Sequence, residues 1–422
     1  MTITAPRIIV RRSGPLSGSV QVPGAKNSVL KLMAATLLAE GEFVLTNVPA
    51  ITDVHTMSET LAALGVRSQW LGPHELLLVN DGNITPVVPF EKLDKIRASI
   101  NVLGPLLTHY GTARINWPGG DDFGGRPINL HVQGLEAMGA TVEQNLYDIV
   151  AYADRLKGAE VELAIPSVGA TENLVTAAVY AVGTTVIDNA AREPEVQDLC
   201  NMLVAMGADI EGIGTSRLVI HGVERGSLHG TRHTVVNDRV QAATYVAAVA
   251  VATGDVLVRG ARTEHMEELL NYYARMGVSI TPQRDGIRVT ARERLRAIDF
   301  TTEPYPGIAT DYKPLLVAML SVSRGEGVVN ETLFPGRFRY IEELRRLGAS
   351  ISVYGTKARV RGVYELIGAS VRAPDIRAGA ALVVAGLVAE GETEIHDVHH
   401  IDRGYDDLVG RLIGLGADVS RA

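Results

Sequence analysis

Leu64-Gly65-Val66, Met138-Gly139-Ala140, Met206-Gly207-Ala208, Met276-Gly277-Val278, Leu347-Gly348-Ala349 and Leu415-Gly416-Ala417 are one phrase written six times. A Leu or Met closes a helix, Gly follows, and a small residue or Val opens a β-rich run. The glycines are spaced by 74, 68, 70, 71 and 68 residues. Glycine there suits the left-handed residue that ends a helix. A second landmark keeps the same period. Apolar helical runs end at Gly41, Gly111, Gly183, Gly254, Gly325 and Gly391, spaced by 70, 72, 71, 71 and 66 residues. Two landmarks in one register define six units, each with two helices and the strands that follow them.

The first helix of a unit is nearly all apolar (Leu30 to Leu38, Val175 to Ala181, Ala380 to Val388), which predicts burial on every side. The second is amphipathic, as in Ile341 to Leu347. Helices therefore belong inside and sheets outside. Six units in 422 residues divide as three plus three, giving two similar α/β domains with a ligand cleft between them. A solenoid is the other reading of a repeat, but its units are shorter as a rule.

Composition sets the outer limits. Apolar residues make up 46% and charged residues 21%, an ordinary globular balance. The net charge of −8, from 40 basic and 48 acidic side chains, argues against a general nucleic-acid binder. A single cysteine, Cys200, excludes an internal disulfide framework and a Cys-based zinc site. The opening residues lack a signal peptide's apolar core, and runs such as Ala378 to Ala389 fall short of the ~20 residues a bilayer requires. A cytoplasmic protein without membrane or nucleic-acid partners is the expectation.

Chemistry is sought where the units differ. Pro23-Gly24-Ala25-Lys26-Asn27-Ser28 puts a Lys at the start of a buried helix, where an anion is favoured; the alternative is a solvated turn. Trp117-Pro118-Gly119-Gly120-Asp121-Asp122-Phe123-Gly124-Gly125-Arg126-Pro127 sets two carboxylates among four glycines. One of them is a candidate general acid, against a surface loop whose Asp residues only make turns. Asp311 in Pro304-Tyr305-Pro306-Gly307-Ile308-Ala309-Thr310-Asp311 precedes an apolar helix, where a helix cap is at least as common a role. Arg403 in His399-His400-Ile401-Asp402-Arg403-Gly404-Tyr405 either binds an oxyanion or pairs with Asp402. The adjacent histidines lack metal-site spacing, so no metal is expected. With Arg97, Arg126, Arg337 and Arg377, these cations suit a ligand with several negative charges. Cys200, on an amphipathic helix, reads as a buried inert thiol.

The chain resembles the enolpyruvyl transferases nearly end to end, in the branch that acts on a nucleotide sugar. The resemblance is carried by the segments around Lys26, Arg97-Ala98-Ser99, Pro118-Gly119-Gly120 and Arg126-Pro127. It continues through Ser167-Val168-Gly169-Ala170-Thr171-Glu172-Asn173, Ala191-Arg192-Glu193-Pro194-Glu195, Asp238-Arg239, Thr310-Asp311 and His400 to Tyr405. It implies an α/β fold of two inside-out barrel domains with three repeats each. One domain would span 24–236, with a catalytic loop near 117–127, and the other 1–23 with 237–422. It implies an enzyme that moves the enolpyruvyl group of phosphoenolpyruvate to the 3′-hydroxyl of UDP-N-acetylglucosamine for peptidoglycan synthesis, releasing phosphate without metal or organic cofactor. Lys26, Arg126 and Arg403 would hold phosphate, and Arg337 and Arg377 the carboxylate. Asn27 would contact the amino-sugar. Arg126, Pro127, Ile128, Asn129 and Leu130 would line the uridine pocket, with Ser167, Val168 and Gly169 near the diphosphate. Arg97 and Leu333 would lie at the same cleft. Asp311 would be the base and Asp121 the general acid on a closing loop.

The chain departs from the family in four places. Asp121 stands where Cys is usual, which predicts insensitivity to fosfomycin, an alkylator of that thiol. Asn129 replaces Asp, Gln241 replaces Glu, and Tyr312-Lys313 replaces Met-Gln. These last changes are expected on the nucleotide-sugar side. They leave open a paralogue that enolpyruvylates another uridine compound, such as uridine monophosphate in nucleoside-antibiotic synthesis. A third reading, a catalytically dead binding homologue, conflicts with the retention of Lys26, Asp121, Asp311 and Arg403.

Overall fold

A computed structural model describes residues 6–88, 96–121 and 127–422. These divide into two compact units, each with its own apolar core. One contains 6–23 and 237–422, the other 24–121 and 127–236 within the described residues.

All twelve landmark glycines have positive φ, from 75° at Gly111 to 141° at Gly254. A Cβ disfavours that region, so the glycine period is a period of chain reversals. The first helix of each repeat is buried as its composition predicts. Every residue of Lys313–Ser321 and Ile376–Gly386 is buried, and in Arg239–Ala252 all but Val251 are. These three helices pack on one another at the centre of their unit. The small side chains Ala242, Ala243, Ala247 and Ala248, all fully buried, allow close approach. In the other unit, Leu103–Tyr110 and Val168–Ala178 pack together, and Lys26–Ala35 continues into a 3-10 turn, Thr36–Leu38, that packs on Leu103–Tyr110. Each large aliphatic side chain buried here contributes about 1.5–3 kcal/mol.

Among the described residues, five four-stranded sheets share one plan. The strand after the inner helix pairs in parallel with a strand from elsewhere in the unit, and antiparallel with a hairpin. Gly41–Thr46 thus pairs with Arg232–Thr234 in parallel and with Glu75–Asn80 antiparallel. Gly254–Arg259 does the same with Leu16–Gln21 and Gly286–Ala291. In the sixth repeat, Glu392–His396 takes its antiparallel partner from the other end of the chain, Ile8–Arg11, with Ile8 opposite Ile395. The N-terminal strand therefore completes the last repeat. Amphipathic helices such as Glu267–Met276 cover the outside.

Candidate active site

The candidate residues divide between the two units. In the unit holding residues 237–422, two caps place the key groups. Asp375 accepts hydrogen bonds from the backbone N–H of Arg377 and Ala378, both at 2.9 Å, so the helix Ile376–Gly386 starts there and puts Arg377 in its first turn. Asp238 does the same for Arg239–Ala252 through Val240 and Gln241.

Asp311 is not a helix cap. It lies in a 3-10 turn, Thr310–Tyr312, with no capping hydrogen bond from its side chain. Instead Arg337 Nη1 donates to Oδ1 at 2.7 Å and Arg377 Nε to Oδ2 at 3.2 Å. The two guanidinium groups are nearly buried, at 2% and 4% side-chain exposure, while the carboxylate keeps 26%. Burial pushes the Asp311 carboxyl up, but Arg337 and then Arg377 outweigh it and hold it well below the usual carboxylate range. Among the described residues, the buried Nη1 of Arg377 has no hydrogen-bond partner. A buried guanidinium N–H without an acceptor is costly, and a planar carboxylate would satisfy it. Tyr405 lies beneath this arginine, its ring centroid 5.5 Å from the guanidinium carbon, and its hydroxyl is 2.8 Å from Thr244 Oγ1.

Arg403 is half-buried in the same unit. Asp402 is gripped by Arg421 through both carboxylate oxygens. The rings of His399 and His400 are tilted by 35° with centroids 4.3 Å apart. Among the described residues, no group of three or more His, Cys, Asp or Glu is placed to hold a metal ion.

Two of the departures from the family lie in this unit, among the arginines that the resemblance gives to phosphoenolpyruvate. Gln241 is fully buried and donates to the carbonyl of Gly404 at 3.2 Å. Lys313 is fully buried and donates to the carbonyl of Arg337 at 2.6 Å. The resemblance leads to both being expected on the nucleotide-sugar side; here each is bonded to the main chain of a segment that carries one of those arginines. Positions 241 and 404 meet only in the folded chain.

In the other unit, Lys26 opens its helix and pairs with Asp53 at 3.1 Å, with side-chain exposures of 15% and 2%. It is a held cation, not a solvated turn residue. Gly24 before it runs so close to Asn47 that a Cβ would sit 1.9 Å from that carbonyl oxygen. Asn27 follows Lys26 on the helix and is half-buried. Arg97 starts the 3-10 turn Arg97–Val102 and reaches the carbonyl of Pro118 at 3.5 Å. Gly120 has φ of 100°, and a Cβ there would lie 3.2 Å from the Cβ of Arg97. The segment leading to Asp121 is thus laid against Arg97, and Asp121 is half-buried. Asp122 and Arg126 lie outside the described residues.

Of the expected uridine-pocket residues, Pro127 and Asn129 are exposed and Leu130 is half-buried. Ile128 is 3% exposed and belongs to the core, so its side chain is a packing residue and only its backbone remains for a ligand. Ser167 caps Val168–Ala178, accepting from the Ala170 N–H at 3.4 Å. Ser167, Val168 and Gly169 are half-buried at that helix start. In the first unit, Leu333 is half-buried and its N–H donates to Glu331 at 2.8 Å.

The residue that sequence reading missed is His131. It is buried, and the Cε1 of its ring would touch a Cβ at Gly169 at 3.3 Å. Asn173 Oδ1 accepts from the Gly104 N–H, which fixes the amide, so Asn173 Nδ2 donates to His131 Nδ1 at 3.0 Å. The ring proton therefore sits on Nε2. Burial, and then the charge of Arg97, push the imidazolium down to about 4, so the ring is neutral near pH 7. The only sequence signal was its place two residues after Asn129. Cys200 is buried, with its thiol pushed up to about 12 by burial, an inert side chain as expected.

No helix among the described residues is long and apolar enough to cross a membrane. The family model described as EPSP synthase (3-phosphoshikimate 1-carboxyvinyltransferase) matches residues 10–412. A UDP-N-acetylglucosamine 1-carboxyvinyltransferase of Corynebacterium jeikeium is 47% identical, covering 96% of each chain. A protein of that name from Zymomonas mobilis is 45% identical, over 98% of this chain and 99% of its own. The crystal structure of the enolpyruvyl transferase NikO from Streptomyces tendae superposes with a TM-score of 0.88 at 25% identity, covering 99% of both chains. An EPSP synthase from Acinetobacter baumannii shares the fold, with a TM-score of 0.75 at 16% identity over 99% of this chain and 100% of its own. Spanned almost end to end by one family model and by relatives at such identity, the chain belongs to the enolpyruvyl transferase family and is an enzyme of the transferase class.

Proposed function

We propose that this enzyme transfers the enolpyruvyl group of phosphoenolpyruvate to the 3′-hydroxyl of UDP-N-acetylglucosamine, releasing phosphate, in peptidoglycan precursor synthesis. The observation that carries the donor is Asp311 held between two buried arginines, one with an unsatisfied N–H. The acceptor rests on the names of the full-length relatives. A proton delivered to C3 of the enol makes C2 electrophilic. The sugar oxygen then bonds to C2 as its proton leaves to a base. Loss of a C3 proton and cleavage of the C2–O bond to phosphate regenerate the double bond. Asp121 takes the role of general acid and Asp311 that of base. Arg337 and Arg377 hold the donor carboxylate, while Lys26, Arg126 and Arg403 hold its phosphate. Such cations stabilise the crowded, anionic tetrahedral adduct more than the ground state.

Asp311 is a weak base while both arginines hold it. A donor carboxylate that shares those guanidinium groups would weaken their grip and raise its basicity, so donor binding would prepare the base. The test is phosphate release from phosphoenolpyruvate with UDP-N-acetylglucosamine and, in parallel, with uridine monophosphate, products identified by mass. Turnover with the nucleotide sugar supports the proposal. Turnover with the mononucleotide alone would replace the acceptor, and silence with both would refute it.

A further inference from the structure

Lys313 stands where the family usually has Gln, and it is a wholly buried cation 2.7 Å from an equally buried Glu331. Two bonds lead from this pair to Arg337. Lys313 Nζ donates to the main-chain carbonyl of Arg337 at 2.6 Å and lies 4.0 Å from the ring centroid of the next residue, Phe338. Glu331 Oε2 accepts from Thr310 Oγ1 at 2.7 Å, and that hydroxyl in turn accepts from Arg337 Nη1 at 3.3 Å. Glu331 Oε1 accepts from Thr302 Oγ1 and from the N–H groups of Leu333 and Phe334, at 2.7, 2.8 and 3.0 Å. The pair therefore ties down the turn that delivers Arg337, its carbonyl, and its guanidinium.

We infer that Lys313 and Glu331 are a positioning pair for Arg337, and that through this arginine they set the affinity for the donor carboxylate. The inference rests on the donor role proposed for Arg337. A buried ion pair is weak evidence for stability, since desolvating two charges offsets their attraction. Its value lies in orientation. Every oxygen of Glu331 is spent on a named donor, so Arg337 can leave its place only by breaking this network. Burial pulls the Lys313 ammonium down to about 8, against the raising effect of Glu331, while Lys313 outweighs burial to hold the Glu331 carboxyl low. Both groups are thus charged near pH 7. The acceptor side is spared, because Asp311 keeps its second arginine, Arg377.

The experiment compares the parent enzyme with Lys313→Met/Glu331→Gln, which removes both buried charges together, and with Thr310→Val, which cuts the link to the guanidinium while keeping both charges. Steady-state phosphate release is measured with phosphoenolpyruvate and UDP-N-acetylglucosamine. The expected result is a KM for phosphoenolpyruvate raised tenfold or more in the double variant and severalfold in Thr310→Val, with KM for the nucleotide sugar within twofold of parent. Both KM values unchanged, or both raised alike, overturns the inference while leaving the functional reading intact. A parent that releases no phosphate overturns that reading and this inference with it.

Discussion

Replacing Asp311 by Ala strands two guanidinium groups that are 2% and 4% exposed. Breaking a buried pair by removing one partner costs about 3–5 kcal/mol. The carboxylate is 26% exposed, and Arg337 keeps a second carboxylate, Asp375, at 3.9 Å. The low end, about 3 kcal/mol, is therefore expected. For a unit of roughly 200 residues this lowers Tm by about 6–12 °C. The folded carboxyl is held below its ordinary value. The stability it contributes is therefore complete above the unfolded value near ~3.9 and is lost as pH falls below it. Thermal unfolding of parent and variant should differ by a constant amount from pH 6 to 8, and the gap should narrow progressively as pH falls below about 4. Phosphoenolpyruvate at 100 times its dissociation constant for the variant should stabilise it by about 2.7 kcal/mol. Equal stability of the two proteins at pH 7, or a gap that does not narrow as pH falls below about 4, would show that the arginines do not depend on this carboxylate.

Further outcomes follow from other residues. Asp121→Ala should lower kcat by about 10²–10⁴-fold, the usual contribution of a general acid, in the phosphate-release assay; unchanged turnover would remove Asp121 from the mechanism. The parent should resist fosfomycin, whereas Asp121→Cys should gain a covalent adduct detectable by intact mass, and an adduct on the parent at Asp121 would contradict this. Gly120→Ala forces a Cβ into a φ of 100° and to 3.2 Å from Arg97. It should cost about 1–2 kcal/mol and reduce turnover beyond what the loss of folded protein explains, as seen by comparing active-site titration with Tm. Burial pushes the Glu172 carboxyl up to about 7, against Lys31 and Asn101. Its neutral form is favoured in the folded chain, so the parent should lose stability as pH rises from about 4.3 to 7. Glu172→Gln should flatten that decline in thermal scans, and a decline of equal slope in both proteins would refute the assignment.

The six repeats, their inner and outer helices and the twelve glycine reversals were legible in the chain because each depends on neighbours within a few residues. Periodicity reports which face is buried, and a glycine after a helix reports a left-handed residue. Family membership was legible for a related reason, since the phrases that carry it are short local segments.

The pairings were not legible. Asp311 reads locally as a helix cap, and only folding brings Arg337 and Arg377 to its two oxygens. Asp402 reads as the partner of its neighbour Arg403, and only folding brings Arg421 to it. Lys313 reads only as a departure from the family, and nothing near it announces the buried Glu331 2.7 Å away. His131 reads as a helix residue until Asn173 and Arg97 settle its tautomer and charge. The sequence by itself determined the elements and their repeat, because local backbone preference and hydrophobic periodicity are written along the chain. Tertiary structure alone decided which charges meet, because a hydrogen bond between residues 26 or 66 positions apart leaves no periodic trace in the segments that make it.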